Sequence, residues 1–542
     1  GNNALDAQNS TTDTNMYNVG VGYAAGGAIT TGSDNVLIGG LAADALTDAS
    51  FNVAIGTSAL GSDTLGSRNI AIGVSALAAQ NFTTATDAYN VAVGVLAGLS
   101  VTTGTQNVLI GGLAGDAITT GDNNVALGHE ALTANTVGDR STALGNFALK
   151  SQNPATNTDM YNVAIGHNAG GDVTTGLNNT LIGGLAGDAL TTAEGNVAVG
   201  YGTLSASTKS AQNVAIGNIA LLSLNHTTTT NSYNVAVGGS AGRNITTGVQ
   251  NTLIGGLAGD SLQDADANVA VGTSALGADT FGSRSTAVGL GALESQNFTT
   301  ATQTYNTAVG YSAGAAVTTG IDNVLVGGLT GDALTTGQDN VVMGGGALGA
   351  DTKGSRTVAI GRAALQSQNF TTATNTFNVA VGYLAGGSVT TGIFNTLIGG
   401  GAGDALTTGD RNVVVGKDAL SSDTKGQRSV AIGESALDAQ NFTTDTQTYN
   451  TAVGYFAGGS ITTGVQNTLI GGLAGDSITT GVQNIVLGYN TDVDTGAADN
   501  RFGIGINLSL TSGSTIKIGN ASTFITNTWG SNATWTHSSD ER

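Results

Sequence analysis

Cysteine is absent from the 542-residue sequence, which excludes disulfides and thiolate metal sites as sources of stability. The absence says nothing about compartment. Proline occurs once, at Pro154, tryptophan twice, and charged residues make up only 10% of the chain. With so few large side chains, the several globular domains normally expected at this length lack the material for their cores. Basic residues are scarce too: 16 Lys and Arg stand against 37 Asp and Glu, a net charge of −21 with no basic run to offset it. A field of that sign repels nucleic acid and anionic membranes, so neither is an expected partner. No apolar run approaches the ~18 residues of a membrane span, and no signal-peptide pattern opens the chain.

Glycine is abundant instead, at 85 residues, and apolar residues reach 40%. The glycines lack the every-third-residue spacing of collagen, and the apolar content is too high for ordinary disorder. The order lies in repetition. The stretch "AYNVAVG" (Ala88 to Gly94) has near-copies at Tyr17, Tyr161, Tyr233, Tyr305, Phe377 and Tyr449, each 72 positions from the last. Within one such unit Asn18, Asn35, Asn52, Asn69 and Asn90 head the same motif, at steps of 17, 17, 17 and 21 residues. From Asn18 to Asn484 there are 27 coil starts.

Taking that Asn as position zero, +1 is Val, Ile or Thr, +3 is Val, Ile, Leu or Met, and +4 is Gly in every coil, from Gly22 to Gly488. A β-branched triplet closed by Gly reads as a short strand and its corner, the Gly serving positive φ or close backbone approach. Ala near +7 predicts a second strand, with stretches such as "TTG" and "GSDTLGSR" as return loops. A period of this size predicts an all-β, parallel β-solenoid. Coils stacked at about 4.8 Å would span roughly 130 Å and align the position-zero amides in a hydrogen-bonded ladder. Ser141, Ser285, Thr357 and Ser429 interrupt that column. Position +2, mostly Ala or Leu, makes the strand apolar on both faces, which predicts cover on both and hence an oligomer. Residues 1–490 form the expected repeat shaft and 491–542 a C-terminal β cap or transition. Gly1 aligns with Gly73, so the sequence opens in mid-coil and is expected to continue something longer.

"NVAIGTSAL", "NVAVGYLAG" and "NTLIGGLAGD" resemble the NxAIGxxAxA-type repeats of trimeric autotransporter adhesin heads and of related bacteriophage tail fibres. The adhesin coils are commonly shorter than 17 residues, so the resemblance is one of motif rather than loop length. It covers about Gly1 to Tyr489 and implies a left-handed β-roll intertwined as a homotrimer. The terminal "THSSDER" resembles the entry to the intramolecular chaperone of endosialidase-type phage fibres. That resemblance implies autoproteolysis between Ser539 and Asp540, with Arg542 matching the motif's Arg; the Leu and Lys that would follow are missing.

The 21-residue coil carries "AQNFTTATDA" and its variants, predicted to protrude every fourth coil, and Tyr89, the aromatic heading the coil that follows, is expected to pack where the excursion rejoins the stack. Phe82, His226, Phe298, Phe370 and Phe442 in these loops are the candidate receptor contacts, by stacking on sugar rings; packing back over the roll is the stronger reading, as it is for Pro154. Asp44, Asp116, Asp188, Asp260, Asp332, Asp404 and Asp476 recur once per unit. Turn capping outweighs calcium for them, because one chain holds them ~19 Å apart, although a trimer could bring three together. "TTG" reads as turn chemistry ahead of ice binding. Asp63 and Arg68 read as a surface pair of small value. The 4 His residues fall in unrelated registers, except that His129 and His167 both follow the coil Gly, and no spacing of a hydrolytic triad, metal site or carboxylate pair stands out, so no catalytic residue or cofactor is expected.

The expected protein is therefore a phage tail-fibre segment in the virion, a homotrimer joined on its N-terminal side to other tail proteins and presenting a surface for host glycan or a protein receptor. Two alternatives are the head of a bacterial cell-surface adhesin and a polysaccharide-degrading tailspike.

Overall fold

Each position-zero Asn is followed by a three-residue strand that pairs in parallel with its counterpart one coil later. The computed structural model describes residues 1–9, 15–511, 515–528 and 536–537, and these contain no helix. The chain divides into two units, Gly1–Asn268 and Val269–Arg542. Each is a parallel β-solenoid of stacked coils. In the first, 14 described strands run from Val19–Val21 to Thr252–Ile254 in one sheet. Register is in phase: Val91 pairs with Val108, Ala92 with Leu109 and Val93 with Ile110. In the second unit the stack runs from Val269–Val271 to Ile485–Leu487, and parallel pairing carries on through Phe502–Ile506 and Thr515–Asn520. Phe524–Thr528 and Thr536–His537 then add antiparallel strands.

The fixed glycine has a double cause. Gly94 has φ 146°, and a Cβ there would lie 2.4 Å from the carbonyl oxygen of Gly111 in the next coil. The same approach recurs at each corner, so any side chain would push the coils apart.

The core is thin. Positions +2 (Ala92, Leu109, Ala126, Ala143) and +7 (Ala97, Ala114, Ala131, Ala148) are wholly buried. The second strand expected around +7 does not form. Leu96 and Gly98, flanking Ala97, both have left-handed backbone (φ 60°), which turns successive N–H groups opposite ways. Leu96 N donates back to Val74 O (3.0 Å) and Gly98 N forward to Ala114 O (2.9 Å). The segment is thus bonded to the coils on both sides without strand geometry.

The amide ladder is present. Asn107, fully buried, donates its backbone N–H to Asn90 Oδ1 (2.9 Å) and its Nδ2 to Gly121 O (2.9 Å); its own Oδ1 accepts from Asn124 N (3.0 Å). Ser141 keeps the rung's backbone bond to Asn124 Oδ1 (3.0 Å), and its hydroxyl oxygen accepts from Gln152 Nε2 (2.9 Å). Asn107→Ala strands two buried groups, Gly121 C=O and Asn124 N–H, and is expected to cost roughly 2–5 kcal/mol. Val108→Thr, on the half-exposed outer face, is expected to cost under about 0.5 kcal/mol. Urea unfolding followed by circular dichroism measures both.

Candidate functional site

Strand alternation sends +2 inward and +1 and +3 outward. In a single chain the outer positions stay partly open: Val125 is 36% exposed and Leu127 43%. The same face carries Ile70, Leu144, Ile216 and Ile254 in the first unit and Val341, Met343, Ile398 and Ile470 in the second. Each unit therefore displays an outer stripe of two side chains per coil, apolar at +3 throughout and at most +1 positions, with Thr at the others, as at Thr142 and Thr286.

The 21-residue coil is seated by polar groups at +11. In the first two coils of a repeat this inward position is apolar, as at Val101 and Ile118; in the next two it is Asp63 and Gln80, also wholly buried. Asp63 Oδ1 accepts from Gly66 N (3.0 Å) and Phe82 N (3.3 Å), and Oδ2 from Gln80 Nε2 (2.6 Å). Gln80 Oε1 then accepts from Asn90 Nδ2 (2.9 Å), which joins the insertion to the ladder. The set recurs as Asp279–Gln296–Asn306, Asp351–Gln368–Asn378 and Asp423–Gln440–Asn450. Burial pushes the Asp279 and Asp423 carboxyls up, against the pull of these donors.

Asp63 is accordingly no surface partner of Arg68. Arg68 pairs with Asp87 across the insertion (Nε–Oδ1 3.0 Å), and Asp63 is withdrawn because three donors need it inside. The candidate contacts are also redefined. Phe82, Phe298, Phe370 and Phe442 are 6–7% exposed, their rings packed back over the roll, so they offer no face to a sugar. His226 is buried as well, its Nε2 donating to Thr247 O (3.0 Å) and its Nδ1 lying 2.9 Å from Ser210 Oγ; it fills the third repeat's version of the seat. What protrudes is the polar tip, residues 83–85 and their repeats at 155–157, 227–229, 299–301, 371–373 and 443–445.

The exposed aromatic is the one before position zero. Tyr89 was expected to pack where the insertion rejoins the stack. It is half exposed (50%), because it stands with φ 53° between two inward residues, Ala88 and Asn90. Arg68 lies over its ring at 5.7 Å and over Phe51 at 5.0 Å. Equivalent stations pair Arg140 with Tyr161, Arg284 with Tyr305, Arg356 with Phe377 and Arg428 with Tyr449, at 5.4–5.7 Å. Arg284 also donates to Tyr305 Oη (2.7 Å) and Gln303 Oε1 (3.3 Å). Each station is an exposed aromatic held flat by a guanidinium beside a carboxylate or amide, a combination suited to stacking and hydrogen bonding with a polar ligand. These residues were missed because cation–π partners 21 positions apart become neighbours only once the long coil is closed.

Thr102 of the "TTG" segment spends its hydroxyl on Thr119 O (3.1 Å), and Thr174 on Thr191 O (3.2 Å), so this column is part of the inter-coil bonding. Among the once-per-unit acids, Asp116 accepts from Thr133 Oγ1 (2.5 Å) and Asp188 from Ser205 Oγ (2.7 Å). Burial pushes Asp44, Asp260, Asp332 and Asp404 upward. Among the described residues no group of three or more His, Cys, Asp or Glu could hold a metal ion, and no helix is long and apolar enough to cross a membrane. Ser539, Asp540 and Arg542 lie outside the described residues. No protein-family model matches the chain, and no curated protein matches it.

Two outcomes test this geometry. Asp63→Ala deprives three donors and is expected to cost roughly 2–4 kcal/mol, with faster amide exchange at Gly66 and Phe82, whereas Arg68→Ala should cost under about 1 kcal/mol. Asp492, half-buried beside Asp476, is pushed up to about 6, chiefly by desolvation. The folded chain therefore holds this proton more tightly than the unfolded one, whose carboxyl titrates near 4. Its contribution is full below about pH 4 and is lost as pH rises through about 6. The difference in melting temperature between Asp492→Asn and the parent chain should accordingly grow between pH 4 and 7, in favour of the variant.

Proposed function

We propose that this chain is a structural segment of a phage tail fibre, assembled as a homotrimer and used for host attachment through surface glycan. The observation that carries the reading is the apolar stripe: two half-exposed β-branched or aliphatic side chains per coil, repeated through each unit. Strands apolar on both faces are ordinarily covered on both, and the economical cover for a stripe that repeats with the coil is another stripe of the same period. A second copy of the chain supplies it in register. The resemblance of "NTLIGGLAGD" and its relatives to adhesin-head and fibre repeats makes three the copy number. The "SSDER" terminus favours the fibre over the adhesin head.

Attachment follows from repetition. The aromatic–guanidinium stations recur every 72 residues, four coils or ~19 Å, except at Tyr233, where Gln212 stands in the arginine's place. Individually weak contacts at such stations add through multivalency, more so on three chains.

Light scattering is expected to give three times the 53.2 kDa of one chain. Lysine at both Val125 and Leu127, tolerable on an open face, should dissociate the assembly; a monodisperse monomer of the parent chain would overturn the proposal. Release of oligosaccharide from a surface polysaccharide would instead favour the tailspike.

A further inference from the structure

One repeat breaks the pattern on its surface. Position +6 of the second coil is Leu at Leu41, Leu113, Leu185, Leu257, Leu329 and Leu473, but Gly at Gly401. The backbone does not demand the change: φ is 66° at Gly401 and 54° and 57° at Leu329 and Leu473 of the same unit. Beside Gly401 lies a cleft of about 420 Å³, lined by Tyr383, Leu384, Gly400, Gly401, Asp404, Lys417 and Asp418. That volume lies in the range of small-ligand sites.

The walls differ in chemistry. Tyr383, on the coil before, is 54% exposed, with Arg362 over its ring at 6.0 Å. Asp418, on the coil after, has its Oδ1 2.6 Å from where a Gly401 Cβ would stand, so it overhangs the gap left by the leucine. Its Oδ2 pairs with Lys417 Nζ at 2.7 Å. Asp404 Oδ1 is buried with no hydrogen-bond partner among the described residues. Burial, with Asp418 and Asp438 nearby, also pushes the Asp404 carboxyl up, against the pull of the backbone N–H groups of Asp404 and Ala405. Two carboxylates against one ammonium leave the walls net negative and rich in acceptors. Carboxylated or sulfated ligands are disfavoured, and hydroxyl donors are favoured.

We infer that this cleft, beside the Gly401 that stands where six sister repeats carry Leu, binds a neutral pyranose residue. The sugar's C–H face lies on Tyr383 and its hydroxyls donate to Asp404 and Asp418. The inference rests on the glycan-attachment reading and adds to it one site of defined chemistry, separate from the repeated stations. Gly401→Leu is the decisive variant, because Leu occupies the same left-handed position beside Glu130 and Asn490 in sister repeats, and it should melt within a degree or two of the parent.

Saturation-transfer NMR on the full chain, with methyl glycosides of glucose, galactose, mannose and N-acetylglucosamine as probes, is expected to show binding of at least one. That binding should weaken about tenfold or more in Gly401→Leu and in Tyr383→Ala. N-acetylneuraminic acid should bind less well than the neutral probes. Equal binding by parent and Gly401→Leu would overturn the cleft while leaving glycan attachment in place. Preference for the acidic sugar would likewise overturn it. Binding of none of the probes by the parent chain would remove both.

Discussion

A buried primary amide in nearly every coil is the constraint on which the rest of the structure depends. Its carbonyl must accept and its NH₂ must donate where no water reaches, and an unmet group there costs as much as a typical hydrogen bond contributes or more. Asn107 meets the requirement only because Asn90 stands one coil before it and Asn124 one coil after, in the same register. The ladder therefore sets the coil spacing and the phase together. A slip of one residue would leave these buried groups unpaired and turn the +1 and +3 side chains inward. The corner glycine acts in the same sense, since 2.4 Å between a hypothetical Cβ and the next carbonyl leaves no room for any other residue.

The four-residue insertion shows how the constraint is kept when the period changes. Between Asn69 and Asn90 the chain takes 21 residues, yet Asn90 N still reaches Asn69 Oδ1, at 3.2 Å. The excess is gathered outside the stack and anchored by Asp63, while Gln80 supplies Asn90 Nδ2 with an acceptor. A column apolar for two coils and polar for two accompanies the four-coil period in every full repeat but the third, where Leu224 stands at the second polar position. The interruptions at Ser141, Ser285, Thr357 and Ser429 belong to the same device. They fall on the rung just before the insertion rejoins, where their hydroxyls bond to the relay glutamine, as at Ser141 and Gln152, or to a threonine, as at Thr357 and Thr376 (2.7 Å).

Much of this was legible because it is periodic. The strand triplet, the glycine corner, the amide ladder and the apolar outer face all follow from residue types at fixed offsets. What was not legible depends on contacts that periodicity does not encode. Ala at +7 looked like a strand because burial was inferred correctly but the left-handed residues flanking it were not. Asp63 looked exposed because it sits among Ser, Thr and Gly with an arginine nearby, and only the closed coil brings Gly66 N, Phe82 N and Gln80 Nε2 around it. Tyr89 was placed inside for the opposite reason: its bulk suggested packing, whereas its position between Ala88 and Asn90 fixes it outside.

In a repeat this regular, a side chain's meaning is set by comparison with its sisters. The aromatic stations recur, so each can serve only what the units share, whether the ring is Tyr or Phe. Gly401 is different. A glycine at a left-handed position is usually explained by its backbone, but six leucines hold the equivalent position, and that explanation lapses. What remains is the space the glycine leaves, bounded by an exposed ring on one side and two acceptor-rich carboxylates on the other. A breach confined to the surface costs the stack little, because the buried +2, +7 and +11 columns carry the stability. The same economy that makes the repeats uniform inside leaves the outside free to differ, and it is at such a departure that a single specific contact can be built into an otherwise repetitive fibre.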